Sequence, residues 1–352
     1  MGRKVREVTA GIDVSAATLS IAVRNREGVV HEYTVSNDDA GHRTLCRILK
    51  KDRRPVRVAM EATGNYHFDL AMALAAQPHI EVMVVNPKAA RKFAEAQMLR
   101  AKTDRVDARV LLEFVERMEF SKWIAPSEAF MRFRILGRHL TSLIAQRVAE
   151  QNRLHAARAI KLTPEVVIDD IQDHIDALSK RIDTVQAEAL AALHLDADLL
   201  ERFNALVSIP GVAERSGIQI LAELATLAQD MTPDEVVAHA GLDPRPRQTG
   251  TTDPRRGISR VGNPRLRGAL YMPALVAAKH SPAVAAWYHQ LLDRNKLPLV
   301  AQVAVMRRLL RVAWVLMVRR QTWCDDLFRP RAGASTDRSV TVSSMRPAEI
   351  SP

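Results

Sequence analysis

Cysteine is almost missing: Cys46 and Cys324 are the two thiols in 352 residues. Two cysteines cannot make a disulfide framework or a zinc cluster, which points to a reducing cytoplasm. Long hydrophobic runs are missing too. None reaches the ~20 residues of a membrane span, and the opening MGRKVREVTA has no apolar core of a secretion signal, so no membrane partner is expected. Glycine nearly vanishes between residues 129 and 200, so that stretch reads as long helices. Large apolar residues thin out in RPRAGASTDRSVTVSSMRPAEISP, residues 329–352, which holds three prolines and is expected to be a disordered tail. No internal repeat is visible.

What the chain has in excess is positive charge. Its formal charge is +11, with a pI near 10. Such a balance favours a polyanionic partner, nucleic acid before anionic membrane. A hydrophobic content of 47% suits a folded protein with room for two or three cores.

The expected fold class is α/β plus all-α. In residues 1–125, EVTAGIDVS, TLSIAVRNREGVVHEYTVS (two runs around the turn NREG), VRVAMEATG and IEVMVVNP read as five strands. AGHRTLCRILKK, YHFDLAMALAAQ and the stretch from Pro87 to about residue 118 read as helices, giving a mixed sheet with helices packed on it. Residues 126–200 read as a helical hairpin broken at Pro164. There Ile168, Ile171, Ile175, Leu178, Ile182 and Val185 alternate steps of three and four, a heptad seam. That seam suits either a core stripe within one domain or a coiled-coil arm for oligomerisation. Residues 201–328 read as a third, mostly helical domain with a basic loop.

In KTDRVDARVL, Asp104 and Asp107 sit one helical turn apart among Lys102, Arg105 and Arg109. Asp13 ends the first strand (GIDVS) and Glu61 the fourth (MEATGNYH). In an RNase H-like sheet the first and fourth strands are neighbours, so these ends can converge. A helix across the sheet then adds two more carboxylates. Four carboxylates at close range need compensating cations, and Mg²⁺ suits carboxylate and phosphate oxygen. Paired ions can stabilise the attacking and leaving oxygens of phosphoryl transfer. The plainer reading is structural, with Thr103 as N-cap and Asp104 at the dipole's positive end.

The second informative stretch is HAGLDPRPRQTGTTDPRRGISRVGNPRLRGALY, residues 239–271. Arg245, Arg247, Arg255, Arg256, Arg260, Arg265 and Arg267 are threaded with Gly250, Gly257 and Gly262. Glycine admits a phosphate close to the backbone, and arginine grips it with two bonds. Thr249 sets a hydroxyl on this loop, a nucleophile only when a metal or base activates it. The bland alternative is a nucleic-acid-binding loop with incidental threonines. Upstream, LVSIPGVAERSGIQILAEL resembles a helix-hairpin-helix, a turn that can aim backbone N–H groups at a phosphate.

GIDVS, MEATGNYH and KTDRVDARVL, followed by SIPGV and AGLDPRPRQTGT…GISRVGNPRLRGALY, resemble in order and separation the motifs of the transposases of insertion-sequence family 110, also called DEDD transposases. The resemblance runs from about residue 7 to about residue 325. It implies an RNase H-like, resolvase-like domain over residues 1–125 whose Asp13, Glu61, Asp104 and Asp107 bind Mg²⁺, or Mn²⁺ in its place. It implies a coiled coil over 126–200 joining protomers into a dimer or tetramer, and a C-terminal transposase domain over 201–328. It implies DNA strand exchange through a covalent hydroxyl–phosphate link, guided by a noncoding bridge RNA. Where the family carries the serine of a Ser-Gly pair, this chain reads Thr249-Gly250. Either Thr249 is the nucleophile, or Ser259 is, or this copy is impaired. Two other readings stay open: a metal-dependent junction resolvase or nuclease with no covalent link, and an inactive nucleic-acid-binding relic.

Overall fold

The structure is a computed structural model that describes residues 7–51, 54–62, 64–97, 104–244 and 257–328, without the side chains of residues 104–106. The tail expected to be disordered lies outside these residues, as do Lys102, Thr249, Arg245, Arg247, Arg255 and Arg256. The chain divides into two compact units, Met1–Ala125 and Pro126–Pro352.

The first unit is built on five strands: β1 (Val8–Val14), β2 (Thr18–Arg24), β3 (Val30–Ser36), β4 (Val56–Glu61) and β5 (Ile80–Val85). Their order across the sheet is β3-β2-β1-β4-β5. The first three pair antiparallel; β1, β4 and β5 pair parallel. The NREG turn between β2 and β3 closes with Asn25 accepting from Gly28 and donating to Val29. Central β1 is apolar on both faces and almost wholly buried, as a strand covered on both sides must be. Edge strand β3 is mostly exposed.

The two faces of the sheet have different cover. Ala10, Ile12, Ile21, Val58, Met60 and Val82 pack with Leu45 and Leu49 of α1 (Asp39–Leu49) and Leu70 and Leu74 of α2 (Phe68–Ala75). On the other face, Ala59, Met83 and Val85 share a core with Ala90 of α3 (Pro87–Ala96) and with Leu111, Phe114 and Val115 of α4 (Asp104–Arg117). Beside it, Ala22 clusters with Ala108 and Leu112 of α4. The stretch after Pro87 is therefore two helices rather than one. Sequence period alone joins them, because no proline or glycine marks the break. Asp38 caps α1 by accepting from Gly41 at 2.8 Å, and Asn86 caps α3 by accepting from Lys88 at 2.9 Å.

The second unit is helical. α5 (Glu128–Ala159) and α6 (Glu165–Leu193) form an antiparallel hairpin, and Pro164 caps the second arm. Ile171 and Ile175 are buried with Leu154, and Leu178 and Ile182 lie in one core with Leu140 and Leu143. The heptad seam thus closes on the partner arm within the chain. Among the described residues six more α-helices follow: α7 (Ala197–Val207), α8 (Glu214–Leu224), α9 (Pro233–His239), α10 (Pro264–His280), α11 (Pro282–Asp293) and α12 (Pro298–Arg319). They surround one large core containing Leu206, Leu221, Leu270, Leu309 and Trp314. The Pro-Gly turn between α7 and α8 has buried Ile209 and Val212, and it lies against the α10 backbone at Pro273 and Ala277. No helix among the described residues is long and apolar enough to cross a membrane.

Candidate active site

β1 and β4 run parallel with Gly11 beside Ala59 and Ile12 beside Met60. One more step of that register sets Asp13 beside Glu61, at the ends of neighbouring strands about 4.8 Å apart. Both are half-buried, and both alternate onto the face that α4 covers.

Gly11 explains how the helix reaches that face. A Cβ there would lie 2.2 Å from the Ala108 carbonyl oxygen and 2.2 Å from the Leu112 nitrogen. Only a residue without a side chain lets the α4 backbone lie on β1. The helix runs against the strand. Thr9 donates to Glu116 near the end of α4 at 2.5 Å, whereas Gly11 meets Ala108 and Leu112, so the first turn of α4 falls at the Asp13 end. Arg24 of β2 fixes the far end, bonding Glu113 at 2.6 Å and Glu116 at 2.8 Å. Asp104 is the first residue of α4, its side chain outside the description. Asp107 is half-buried one turn before Leu111, which shares a core with Ala59. Asp13 and Glu61 thus lie near the ends of neighbouring strands, and α4, packed on Gly11, starts on that side of the sheet. Among the described residues, no three His, Cys, Asp or Glu side chains are grouped closely enough to hold a metal.

Of the three basic residues around the acidic pair, Lys102 and the Arg105 side chain lie outside the description. Arg109 forms an ion pair with Glu32 of β3. Sequence reasoning missed Asn37. Its amide donates to the Ser15 carbonyl at 2.8 Å and the Tyr66 carbonyl at 3.2 Å, and its oxygen meets the ring of buried His42 at 2.9 Å. It thereby ties the turns that follow β1, β3 and β4. A lone asparagine after a strand carries no signal of that.

In the second unit, the two stems of the basic loop are locked together. Asn263 donates its backbone N–H to His239 at 2.7 Å, Arg260 to Gly241 at 3.1 Å and Ser259 to Asp243 at 2.9 Å. Pro244 and Ile258 form an antiparallel bridge. Gly262, at φ 150°, lets this happen: a Cβ would stand 2.3 Å from the His239 carbonyl oxygen. The Ser259 hydroxyl donates to the Asp243 carboxylate. Arg267, expected at nucleic acid, donates to the Ala240 carbonyl at 2.7 Å and so serves the stem. Arg260 and Arg265 are exposed.

Against known sequences, residues 10–158 match a family model described as DEDD_Tnp_IS110, a transposase, and residues 204–289 match one described as the transposase IS116/IS110/IS902 family. The chain belongs to the IS110 family of transposases. It is 24% identical over 313 residues to a pilin gene-inverting protein of Moraxella bovis, covering 87% of this chain and 94% of that protein. It is 26% identical over 290 residues to a transposase for insertion sequence element IS1328 of Yersinia enterocolitica, covering 74% and 84%. A transposase for insertion sequence element IS1111A of Coxiella burnetii is 23% identical over 291 residues, covering 76% and 79%. A transposase acts on DNA, and the excess of positive charge suits that substrate.

Behind the loop stem of this IS110-family transposase lies a buried polar network that sequence reasoning also missed. Glu223 of α8, 3% exposed, accepts two bonds of 2.8 Å from Arg138 of α5 and one of 2.6 Å from the Asn263 amide. Asn263 meanwhile caps α10, accepting from Arg265 at 3.0 Å and Leu266 at 3.2 Å. Burial pushes the Glu223 carboxyl up, but the Arg138 hydrogen bond and charge, with Asn263 and Arg134, more than offset it and hold it below the usual glutamate value. Burial pulls the Arg134 guanidinium down to about 10, and the Arg138 and Arg265 charges add to the effect. Burial likewise holds His239 below its ordinary value, with Arg134 and Arg138 helping. The signal available in advance was a single carboxylate inside the apolar run ILAEL, which a core admits only with partners.

Proposed function

We propose that this transposase recombines DNA at an RNase H-like acidic centre formed by Asp13, Glu61, Asp104 and Asp107. The observation that carries the reading is the parallel register of β1 and β4, Ile12 beside Met60, one residue before Asp13 and Glu61, with α4 packed on Gly11. Two carboxylates on neighbouring strands repel, and an all-oxygen donor set fits Mg²⁺, or Mn²⁺ in its place, better than softer metals. Bound there, such ions would neutralise charge on a phosphate during phosphoryl transfer. Asp13 and Glu61 would hold the ions from the sheet, and Asp104 and Asp107 from the helix. Lys102, Arg105 and Arg109 would draw the DNA backbone to this edge. Arg245, Arg247, Arg255, Arg256, Arg260 and Arg265 would add salt-sensitive contacts from the C-terminal domain.

Cleavage in this reading is a transesterification. The Thr249 oxygen attacks a backbone phosphorus, the bond to one sugar oxygen breaks, and that sugar leaves as an alcohol. The phosphothreonine link keeps the bond energy for rejoining without ATP. Ser259 is the weaker nucleophile candidate, because its hydroxyl already belongs to the stem through Asp243. A noncoding bridge RNA would pair with target and donor DNA, which frees the protein from reading bases. Protomers would join into a dimer or tetramer through the α5–α6 hairpin, whose tip exposes Ile160, Leu162, Val166 and Val167. The protein would work in the cytoplasm.

The test is denaturing electrophoresis of a labelled strand after incubation with Mg²⁺. The wild type should give a protein–DNA adduct. Thr249→Ala should lose both adduct and cleavage, and Asp13→Asn should lose cleavage while DNA binding persists. Continued cutting by Thr249→Ala would make the protein a resolvase-type nuclease in which water attacks. Binding with no Mg²⁺-dependent exchange in the wild type would mark an inactive relic.

A further inference from the structure

The row that begins with the acidic pair does not stop there. Ser20 of β2 lies opposite Asp13 of β1, and Thr34 of β3 lies opposite Ser20. Residues opposite one another in a sheet share a face, so Glu61, Asp13, Ser20 and Thr34 form one line across four strands. Thr34 lies two strand spacings from Asp13, about 10 Å.

This end of the line opens into a hollow. It has a volume of about 280 Å³ and is lined by Ser20, Ile21, Glu32, Tyr33, Thr34 and Ala108 of α4. Its size is at the low end of small-ligand pockets, ~300 Å³ and upward, which suits one unit of a polymer. Its chemistry is polar. Among the described residues the Ser20 and Thr34 hydroxyls make no hydrogen bond within the protein. Glu32, which would repel an anion, is paired with Arg109. That bond uses the Arg109 Nε, leaving further guanidinium N–H donors beside Glu32, which lines the hollow.

We propose that this hollow seats a DNA phosphodiester next to the one cleaved at the acidic edge, gripped by the Ser20 and Thr34 hydroxyls and the Arg109 guanidinium. The inference rests on the acidic centre proposed above for the site of cleavage. Hydroxyls and guanidinium groups are common phosphate ligands that carry no sequence information, which suits an enzyme that must accept varied targets. Glu32 acts through Arg109 as a positioning residue, holding it over the hollow.

The test reads binding rather than cleavage. A duplex from the element end is synthesised with one neutral methylphosphonate at each successive position. The full-length protein is titrated with each duplex in EDTA. With wild type, one position beside the cleavage site should weaken binding on the order of tenfold. With Ser20→Ala/Thr34→Val the intact duplex should bind about tenfold more weakly, and the methylphosphonate should cost less than about twofold more. Ser20→Thr, which keeps the hydroxyl, should restore sensitivity at that position. Equal sensitivity in wild type and double variant overturns the proposal, and so does interference seen with an RNA strand alone. Cleavage assays run beside it separate the two readings. Normal cutting with unchanged interference sinks only the hollow, whereas absent cutting with the expected interference sinks only the catalytic reading.

Discussion

Gly11→Ala is a one-carbon change whose consequence follows from two distances. The new methyl would stand 2.2 Å from Ala108 O and Leu112 N, whereas ordinary contact begins at 3.4 Å. Both obstacles are backbone, so no rotamer change relieves the clash. The helix must retreat by the difference, 3.4 − 2.2 = 1.2 Å. Overpacking of this kind costs about 1–3 kcal/mol, and a gap of ~1 Å under Leu111 and Val115 forfeits up to about half of each contact's attraction. Retreat will not be uniform. Thr9 and Arg24 hold Glu113 and Glu116 at the far end, so the first turn, which begins at Asp104, swings furthest. A catalytic group displaced by ~1 Å can lose about a hundredfold in rate. Calorimetry should show the first unit melting about 5–15 °C lower. Single-turnover cleavage, measured well below that melt, should fall on the order of a hundredfold. Melting and cleavage both matching wild type would refute the claim that α4 rests on Gly11 and carries the catalytic acids.

Other perturbations probe the second unit. Gly268→Ala, an exposed position in α10 with no atom within 4 Å of the added carbon, should stabilise by roughly 0.5–1 kcal/mol, read as a higher denaturation midpoint. Glu223→Ala leaves Arg138 and Asn263 without their acceptor and should cost about 3 kcal/mol in urea denaturation; a loss under ~1 kcal/mol would contradict the network. The pH dependence has a defined sign. A Glu223 carboxyl held below 4.5 stabilises the fold above that pH, and this contribution is lost as pH falls further. A His239 ring held below 6.5 resists protonation in the fold, so stability also declines as pH drops beneath 6.5. Thermal melts from pH 8 down to about 2 should show both declines, and His239→Gln should remove the upper one.

Much of the first unit was legible because its strands are short apolar runs ended by turns. Asp13 and Glu61 were legible as residues near the ends of two such runs, and those runs pair in parallel with Ile12 beside Met60. The gap between α3 and α4 was not, because no breaker residue stands between Ala96 and Asp104. Ser20 and Thr34 escaped notice for another reason. Their importance is a matter of which residues lie across the sheet, and strand order is a long-range property that no local pattern encodes. The seam from Ile168 to Val185 showed its period but not its partner, since a heptad stripe looks alike whether it meets α5 or another chain. Glu223 could be flagged as a buried charge, yet its partners come from residues 85 and 40 positions away in the chain.

The locked stem behind the basic loop has an implication for how such a protein diversifies. His239, Gly241 and Asp243 are zipped to Asn263, Arg260 and Ser259 by main-chain bonds, which depend on the absence of side chains at Gly241 and Gly262. The bridge between Pro244 and Ile258 completes this frame. Substitutions between Pro244 and Gly257, the exchange of serine for Thr249 before Gly250 among them, fall outside the residues that make these main-chain bonds.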